Sequence, residues 1–253
     1  MKFLIFWDIF WRIWRNAVKK EFQQIKNKYK PDFILANIEN ISSWRWPVEK
    51  HLIEMENLWV DIMTWWDHIF DNLRNIKSYL EKEDCILLRP ANFYETIDFP
   101  LAWIWYKIIK KDWVKILIIH LLWQVFIKHN VYNPFLKIKE LLEELKWKYN
   151  ISVIDFHKEA TAEIYGMWLY LSNDLKEYNT SLIFWTHSHI QTNDEMIFEN
   201  WTWFICDVWM SWPINSVIWA DFSSLKKRFI NWIWQWKIEQ CLDKKYVINA
   251  IFT

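Results

Sequence analysis

Short apolar runs alternate with amphipathic stretches along most of this chain, and that alternation restricts it to an α/β architecture. Lys2–Phe6, Phe33–Ala36, Val60–Met63, Ile86–Leu88, Ile151–Ile154 and Leu182–Phe184 read as short buried strands. Between them, Arg15–Tyr29 places Ala17, Val18, Phe22 and Ile25 at helical spacing, and Pro31 stops it. Further helices are expected from Pro47 to Leu58, with proline at the first turn, and over Asp71–Leu80, Pro134–Tyr149 and Lys158–Leu171. Ile104–Ile109 and Val114–Ile119 read as a hairpin through Lys111-Asp112-Trp113. The tail predicts one helix, Ser223–Phe229, and two strands, Trp236–Gln240 and Tyr246–Ile251. No low-complexity linker or repeat interrupts this order, so residues 1–253 read as a single domain.

Five of the strands end in residues that carry chemistry. The endings are Asp8, Glu39-Asn40, Asp67-His68, His157 and His187-Ser188-His189, and they hold four of the seven histidines. In α/β proteins the carboxyl ends of strands are where sites are built. Side chains two apart on an extended backbone point to the same side, so His187 and His189 are expected to reach one spot or two adjacent ones. An isolated H-x-H is a weak signal, and any one of these residues alone is more often a capping Asp or a satisfied core His. Five endings converging on one sheet edge describe a dinuclear metal site instead. A carboxylate such as Glu39 can bridge two ions ~3.5–4 Å apart, which together clamp a phosphate and activate a water for in-line attack. His68, beside a ligand at Asp67, is placed to protonate the leaving oxygen.

Charge and cysteine usage narrow the class further. Lys plus Arg number 31 and Asp plus Glu 31, so no net charge points to a nucleic-acid or membrane surface. Cys85, Cys206 and Cys241 are far apart and in no C-x-x-C spacing, which suits a reducing cytosol and excludes a cysteine zinc site. MKFLIFWD is too short and too soon charged for a signal peptide. The longest apolar run, Ile116–Ile127, is broken by His120 and Gln124 and falls short of the ~20 residues that span a bilayer. A soluble, cytoplasmic protein is expected. His51 and His129 read as solvated, His120 as a hydrogen-bonded core residue, and Asn92, Tyr94 and Glu95 as a substrate rim.

One compositional fact conflicts with all of this. The chain has 23 Trp and a single Gly, Gly166, whereas average usage of about 7% predicts roughly 18 glycines. The tryptophans sit where glycine belongs. Trp7 and Trp11 bracket Asp8, Trp65-Trp66 precedes Asp67-His68, and Trp201 and Trp203 follow Glu199-Asn200 in a hairpin-like turn. Such positions need positive φ or close backbone approach, which a β-carbon resists. The reading is that the gene uses a codon, UGA, that its host translates as glycine.

With glycine read for tryptophan, the start becomes a Gly-Asp-x-x-Gly turn followed by Arg12 and then a second Gly-Arg. "ANIEN" (Ala36–Asn40), "WWDH" (Trp65–His68), "RPANFYE" (Arg89–Glu95), "DFHKEAT" (Asp155–Thr161), "WTHSHIQTNDE" (Trp185–Glu195) and "DVWMSWPINSVIW" (Asp207–Trp219) follow. Their order and spacing resemble the YmdB-like branch of the calcineurin-like metallophosphoesterases over nearly the whole chain. The resemblance implies a sandwich of two mixed β-sheets flanked by helices, two iron or manganese ions, and phosphodiesterase activity on cyclic nucleotides, including 2′,3′-cyclic ones. It implies one metal held by Asp8, Glu39, Asn40 and His189, and another by Glu39, Asp67, His157 and His187, with His68 as general acid. Asp67 departs from the family's Asn, and His120 from its usual Asn. A small phosphodiester or nucleotide is the expected partner, with RNA as a further option, no membrane, and a homo-oligomer. The rival functions are a phosphomonoesterase or nuclease on the same centre, and an RNA-linked regulatory protein without turnover.

Overall fold

The computed structural model describes residues 1–6, 9, 11–42, 48–66, 73–94, 103–125, 130–157, 159–187, 189–208, 211–232, 238–243 and 245–253. In chain order the first half contains β1 (Phe3–Phe6), α1 (Trp11–Tyr29), β2 (Phe33–Asn37), α2 (Glu49–Glu56), β3 (Ile62–Thr64), α3 (Lys77–Leu80), β4 (Leu87–Leu88), β5 (Tyr106–Lys111) and β6 (Val114–Leu122). The second half contains α4 (Pro134–Leu145), β7 (Ile151–His157), α5 (Thr161–Leu169), β8 (Thr180–Thr186), β9 (Met196–Ile197), β10 (Trp203–Ile205), β11 (Trp212–Pro213), α6 (Phe222–Asn231), β12 (Tyr246–Val247) and β13 (Ala250–Phe252).

These strands form two mixed sheets and a small ribbon. The first sheet has the order β13-β1-β2-β3-β4; β1 to β4 are parallel, and β13 closes the edge antiparallel, with Ile5 opposite Ile251. The second has the order β5-β6-β7-β8-β10-β9, with antiparallel edge strands β5 and β9 around a parallel centre. Among the described residues β11 and β12 form a separate two-stranded ribbon.

Side-chain alternation decides which face of the second sheet meets the first. Ile116, Ile118, Leu122, Val153, Leu182 and Phe184 pack into one core with the first sheet. Their neighbours Leu117, Ile119, Ile154, Phe156 and Ile183 pack outward against Leu141, Leu142, Ile164 and Met167 of α4 and α5. On the far side, Ala17, Val18 and Phe22 of α1 and Leu52 and Met55 of α2 cover the first sheet. The result is the expected sandwich of two sheets flanked by helices.

Local chemistry sets the element ends. Asn133 caps α4 by accepting from the Phe135 and Leu136 amides at 2.9 and 3.3 Å, with Pro134 at the first turn. The β5–β6 hairpin forms as expected, with Lys111 paired to Val114 around the two-residue loop Asp112-Trp113 and Asp112 at φ 54°. The expected helix over 71–80 is reduced to a 3-10 turn, Leu73–Asn75, and one α-turn, α3. The helix expected from Lys158 begins at Thr161, because Ala160 is still extended. That at Pro134 stops at Leu145, and Gln240 makes only an isolated bridge to Ala220. Cys85, Cys206 and Cys241 are free thiols, and among the described residues no helix is long and apolar enough to cross a membrane.

Candidate metal centre

The described strand endings are divided between two sheets, not set on one sheet edge as their order suggested. β2 carries Glu39 and Asn40 just beyond its end, on the first sheet; β7 ends in His157, and β8 is followed by His187 and His189, on the second. Residues 153, 155 and 157 share one face of β7. Val153 belongs to the inter-sheet core, so His157 also points toward the first sheet. Asp8, Asp67 and His68, together with Trp7 and His129, lie outside the described residues.

A layer of buried polar groups supports the centre between the sheets. The Glu39 amide donates to Asn37 Oδ1 at 3.0 Å, and Asn37 Nδ2 donates to Thr64 Oγ1 at 3.3 Å. Glu39 itself is 3% exposed, and its carboxylate accepts the Trp66 amide at 2.5 Å, tying the turn after β2 to the turn after β3. Buried Arg15 of α1 donates to the Ile41 carbonyl and pairs with Glu54 at 3.0 Å, which fixes the chain just past Asn40. On the second sheet His157 Nδ1 shares a hydrogen bond with the Thr186 hydroxyl at 3.3 Å. The rings of His157 and His187 lie 4.9 Å apart, and those of His187 and His189 6.2 Å.

His187 and His189 are not on an extended strand. β8 stops at Thr186, and the two residues take φ of 156° and 62°. Turn geometry past the strand end, not alternation, brings them together. One level below His157, His120 and Asp155 face each other in register and are fully buried, with His120 Nδ1 2.9 Å from Asp155 Oδ2. His120 is thus a paired core residue, as its apolar strand suggested. His51 is not simply solvated, since its Nδ1 shares a hydrogen bond with Ser42 Oγ at 2.7 Å. Asn92 is no substrate rim: it is fully buried, donates to the Leu122 and Tyr132 carbonyls, and accepts the Leu122 amide. Tyr94 is exposed and stacks edge-on to Tyr132, while Glu95 lies outside the described residues.

The donor set suits transition ions, which take neutral imidazole and carboxylate. Burial, and then the neighbouring His187, holds the His157 imidazole well below its ordinary value. The same two causes, in the same order, bring His189 down to about 4. Both rings are therefore neutral and able to bind metal at physiological pH. Among the described residues no three donors converge to hold an ion by themselves. The Trp66 indole lies flat on His157, with centroids 3.7 Å apart and planes at 20°, while its amide holds Glu39.

The lowered histidine values have a consequence for stability. An unfolded chain protonates His189 near the ordinary 6.5, but the folded one only near 4, so folding is favoured fully above 6.5 and that contribution is lost as pH falls toward 4. Metal-depleted protein is expected to show this loss in urea melts between pH about 7.5 and about 4.5, and His189→Gln is expected to make it smaller. Equal pH dependence of the two proteins would contradict the assignment.

Glu159 is the residue at this centre that the strand-end pattern missed. Its carboxylate contacts His187 Nε2 from the turn between β7 and α5. Its position two residues after His157 was the available signal.

Known proteins share this fold. The chain is 31% identical over 229 residues to the 2′,3′-cyclic-nucleotide 2′-phosphodiesterase of Bacillus subtilis, covering 90% of this chain and 82% of that protein. The crystal structure of a novel phosphatase from Mycoplasma pneumoniae superposes with a TM-score of 0.83 and 26% identity, covering all of this chain and 93% of that one. A hypothetical protein from Thermus thermophilus shares the fold with a TM-score of 0.80 at 21% identity, over 100% of this chain and 99% of its own. Residues 4–253 match the family described as YmdB-like protein, and this chain belongs to that family.

Proposed function

We propose that this chain is a hydrolytic phosphoesterase, and within that class a phosphodiesterase that opens cyclic nucleotides at a dinuclear metal centre. The observation that carries the reading is that residue 66 joins the two strand-end sets, its amide held by Glu39 of one sheet and its ring against His157 of the other, beside His187, in a chain similar to a 2′,3′-cyclic-nucleotide 2′-phosphodiesterase. Glu39 would lie between two ions, with Asp8, Asn40 and His189 on one side and Asp67, His157 and His187 on the other. When bound, such a pair, iron or manganese by the family resemblance, supplies Lewis acidity toward a phosphate and toward an attacking water. The chain's own contribution is to hold the diester in line and to keep a proton on His68 for the leaving oxygen as the P–O bond breaks. Turnover of a panel of cyclic and linear phosphodiesters and monoesters, with and without Mn²⁺, tests this. No metal-stimulated hydrolysis of any diester would overturn it. Turnover of monoesters alone would favour the second reading, a phosphatase, which the similarity to the Mycoplasma pneumoniae phosphatase supports. RNA retention without turnover would favour the regulatory one.

His68→Ala is expected to keep its metal and lose turnover by about 10²–10⁴-fold, the range for a positioned general acid. The loss should be largest for poor leaving groups. Metal analysis beside steady-state rates checks it, and loss of metal from His68→Ala would assign His68 to the ligand set instead.

The same reading requires glycine at many tryptophan positions, as it would be in a host that reads the codon as Gly. Three observations support it. Trp59, Trp201 and Trp232 take φ of 65°, 68° and 55°, a region that non-glycine residues enter at a cost of roughly 1–2 kcal/mol. Trp232 is the left-handed C-cap of α6, and Trp201 closes the β9–β10 turn by donating to Phe198; both are positions where glycine is favoured. The enclosed indole N–H groups of buried Trp65 and Trp168 and of partly buried Trp123 have no hydrogen-bond partner among the described residues.

A further inference from the structure

We infer that Glu159 is a positioning residue for the metal centre, acting through His187; this rests on the metal-centre reading above. Glu159 sits in the short turn between β7 and α5, two residues past His157. That turn runs along the same polar end of the second sheet as the segment after β8. β7 and β8 pair with His157 opposite Thr186, so the two strands end at the same level of the sheet. The Glu159 carboxylate accordingly reaches Nε2 of His187, with both side chains about half exposed.

An imidazole presents one protonated and one lone-pair nitrogen when neutral. A carboxylate accepting the Nε2–H fixes the proton there and leaves Nδ1 of His187 as the nitrogen that donates to metal. This is the usual outer partner of a metal-binding histidine, which sets ring orientation and raises basicity. His157 has its own partner, but on the opposite nitrogen. Its Nδ1 meets the Thr186 hydroxyl at 3.3 Å, which leaves Nε2 toward the centre. The two imidazoles, with rings 4.9 Å apart and planes at 72°, therefore present different nitrogens to the same space. No strand-end motif assigns this difference, and it makes Glu159 necessary for the orientation of one ligand while standing outside the ligand set.

The test uses the full chain translated with the recoded codon as glycine, titrated with Mn²⁺ alone by equilibrium dialysis. Glu159→Ala is expected to weaken metal binding by about 10–100-fold, the usual effect of losing such a partner. Glu159→Gln, whose carbonyl oxygen can still accept the Nε2–H, is expected to recover most of the affinity. ¹⁵N spectra of the metal-free protein are expected to show His187 protonated at Nε2, and Glu159→Ala to mix the two tautomers. If the parent chain binds no Mn²⁺, the metal-centre reading itself fails. If the parent binds and Glu159→Ala binds equally well, or if His187 is protonated at Nδ1, the positioning role is wrong while the centre stands. If Co²⁺ spectra of Glu159→Gln and the parent differ in coordination, Glu159 is a direct ligand and the inference is also overturned.

Discussion

Translated with glycine at the recoded codon, the protein is expected to be more stable than its tryptophan form by several kcal/mol. The expectation starts at Trp59, Trp201 and Trp232, which combine left-handed φ with 72%, 75% and 91% exposure. Each β-carbon there costs roughly 1–2 kcal/mol, so relieving all three gives about 3–6 kcal/mol, a large share of the 5–15 kcal/mol typical of a whole protein. Little burial is lost, because these indoles touch solvent. The interior positions decide whether the recoding is real. Trp65 and Trp185 are fully buried, and deleting a true core tryptophan costs roughly 3–5 kcal/mol each through the cavity it leaves. If those positions are glycine in the native protein, the turn beside Glu39 and the end of β8 close over them and no cavity remains. Paired urea melts read the sign directly. A glycine form that is less stable, or that loses cooperative unfolding, would show that the indoles belong to the core. Peptide masses from host-derived protein give an independent check at 66 and 185.

The second large effect concerns the ligands. The glycine form is expected to bind two transition ions per chain, and His157→Ala and His187→Ala are each expected to lose metal well beyond the roughly 10–100-fold that outer partners control. His157 is the stricter case. It is 4% exposed, hydrogen-bonded to Thr186 and held neutral by burial. Glu39→Gln tests the bridge, since an amide keeps the hydrogen bond from Trp66 but not the charge that two ions share. Elemental analysis under metal-replete conditions checks all three. A stoichiometry of zero or one ion in the parent chain would rule out the dinuclear centre, and full occupancy of His157→Ala would remove His157 from it.

Local sequence determined the elements here, because apolar spacing and turn chemistry act within a few residues. It placed β1, β2, β7 and β8, the β5–β6 hairpin through Asp112, the proline start of α4, and Glu39, Asn40 and His157 at the ends of β2 and β7. It also raised the expectation of glycine at tryptophan positions, since a hairpin-like turn such as that at Trp201 demands the same backbone wherever it occurs. What it could not determine was which endings face one another. Asp8, Glu39 and Asp67 follow strands with the same local pattern as His157, so the division into two sheets is invisible in any one of them. That division comes from which face of β7 buries Val153 against the first sheet and which buries Ile154 and Phe156 against α4 and α5. Strand pairing within the second sheet brings His120 onto Asp155 and the Glu159 carboxylate onto His187, and α1 brings Arg15 onto the carbonyl after Asn40. Such pairs join residues distant along the chain, and only the pairing of neighbouring strands and the packing of α1 on its sheet put them within reach.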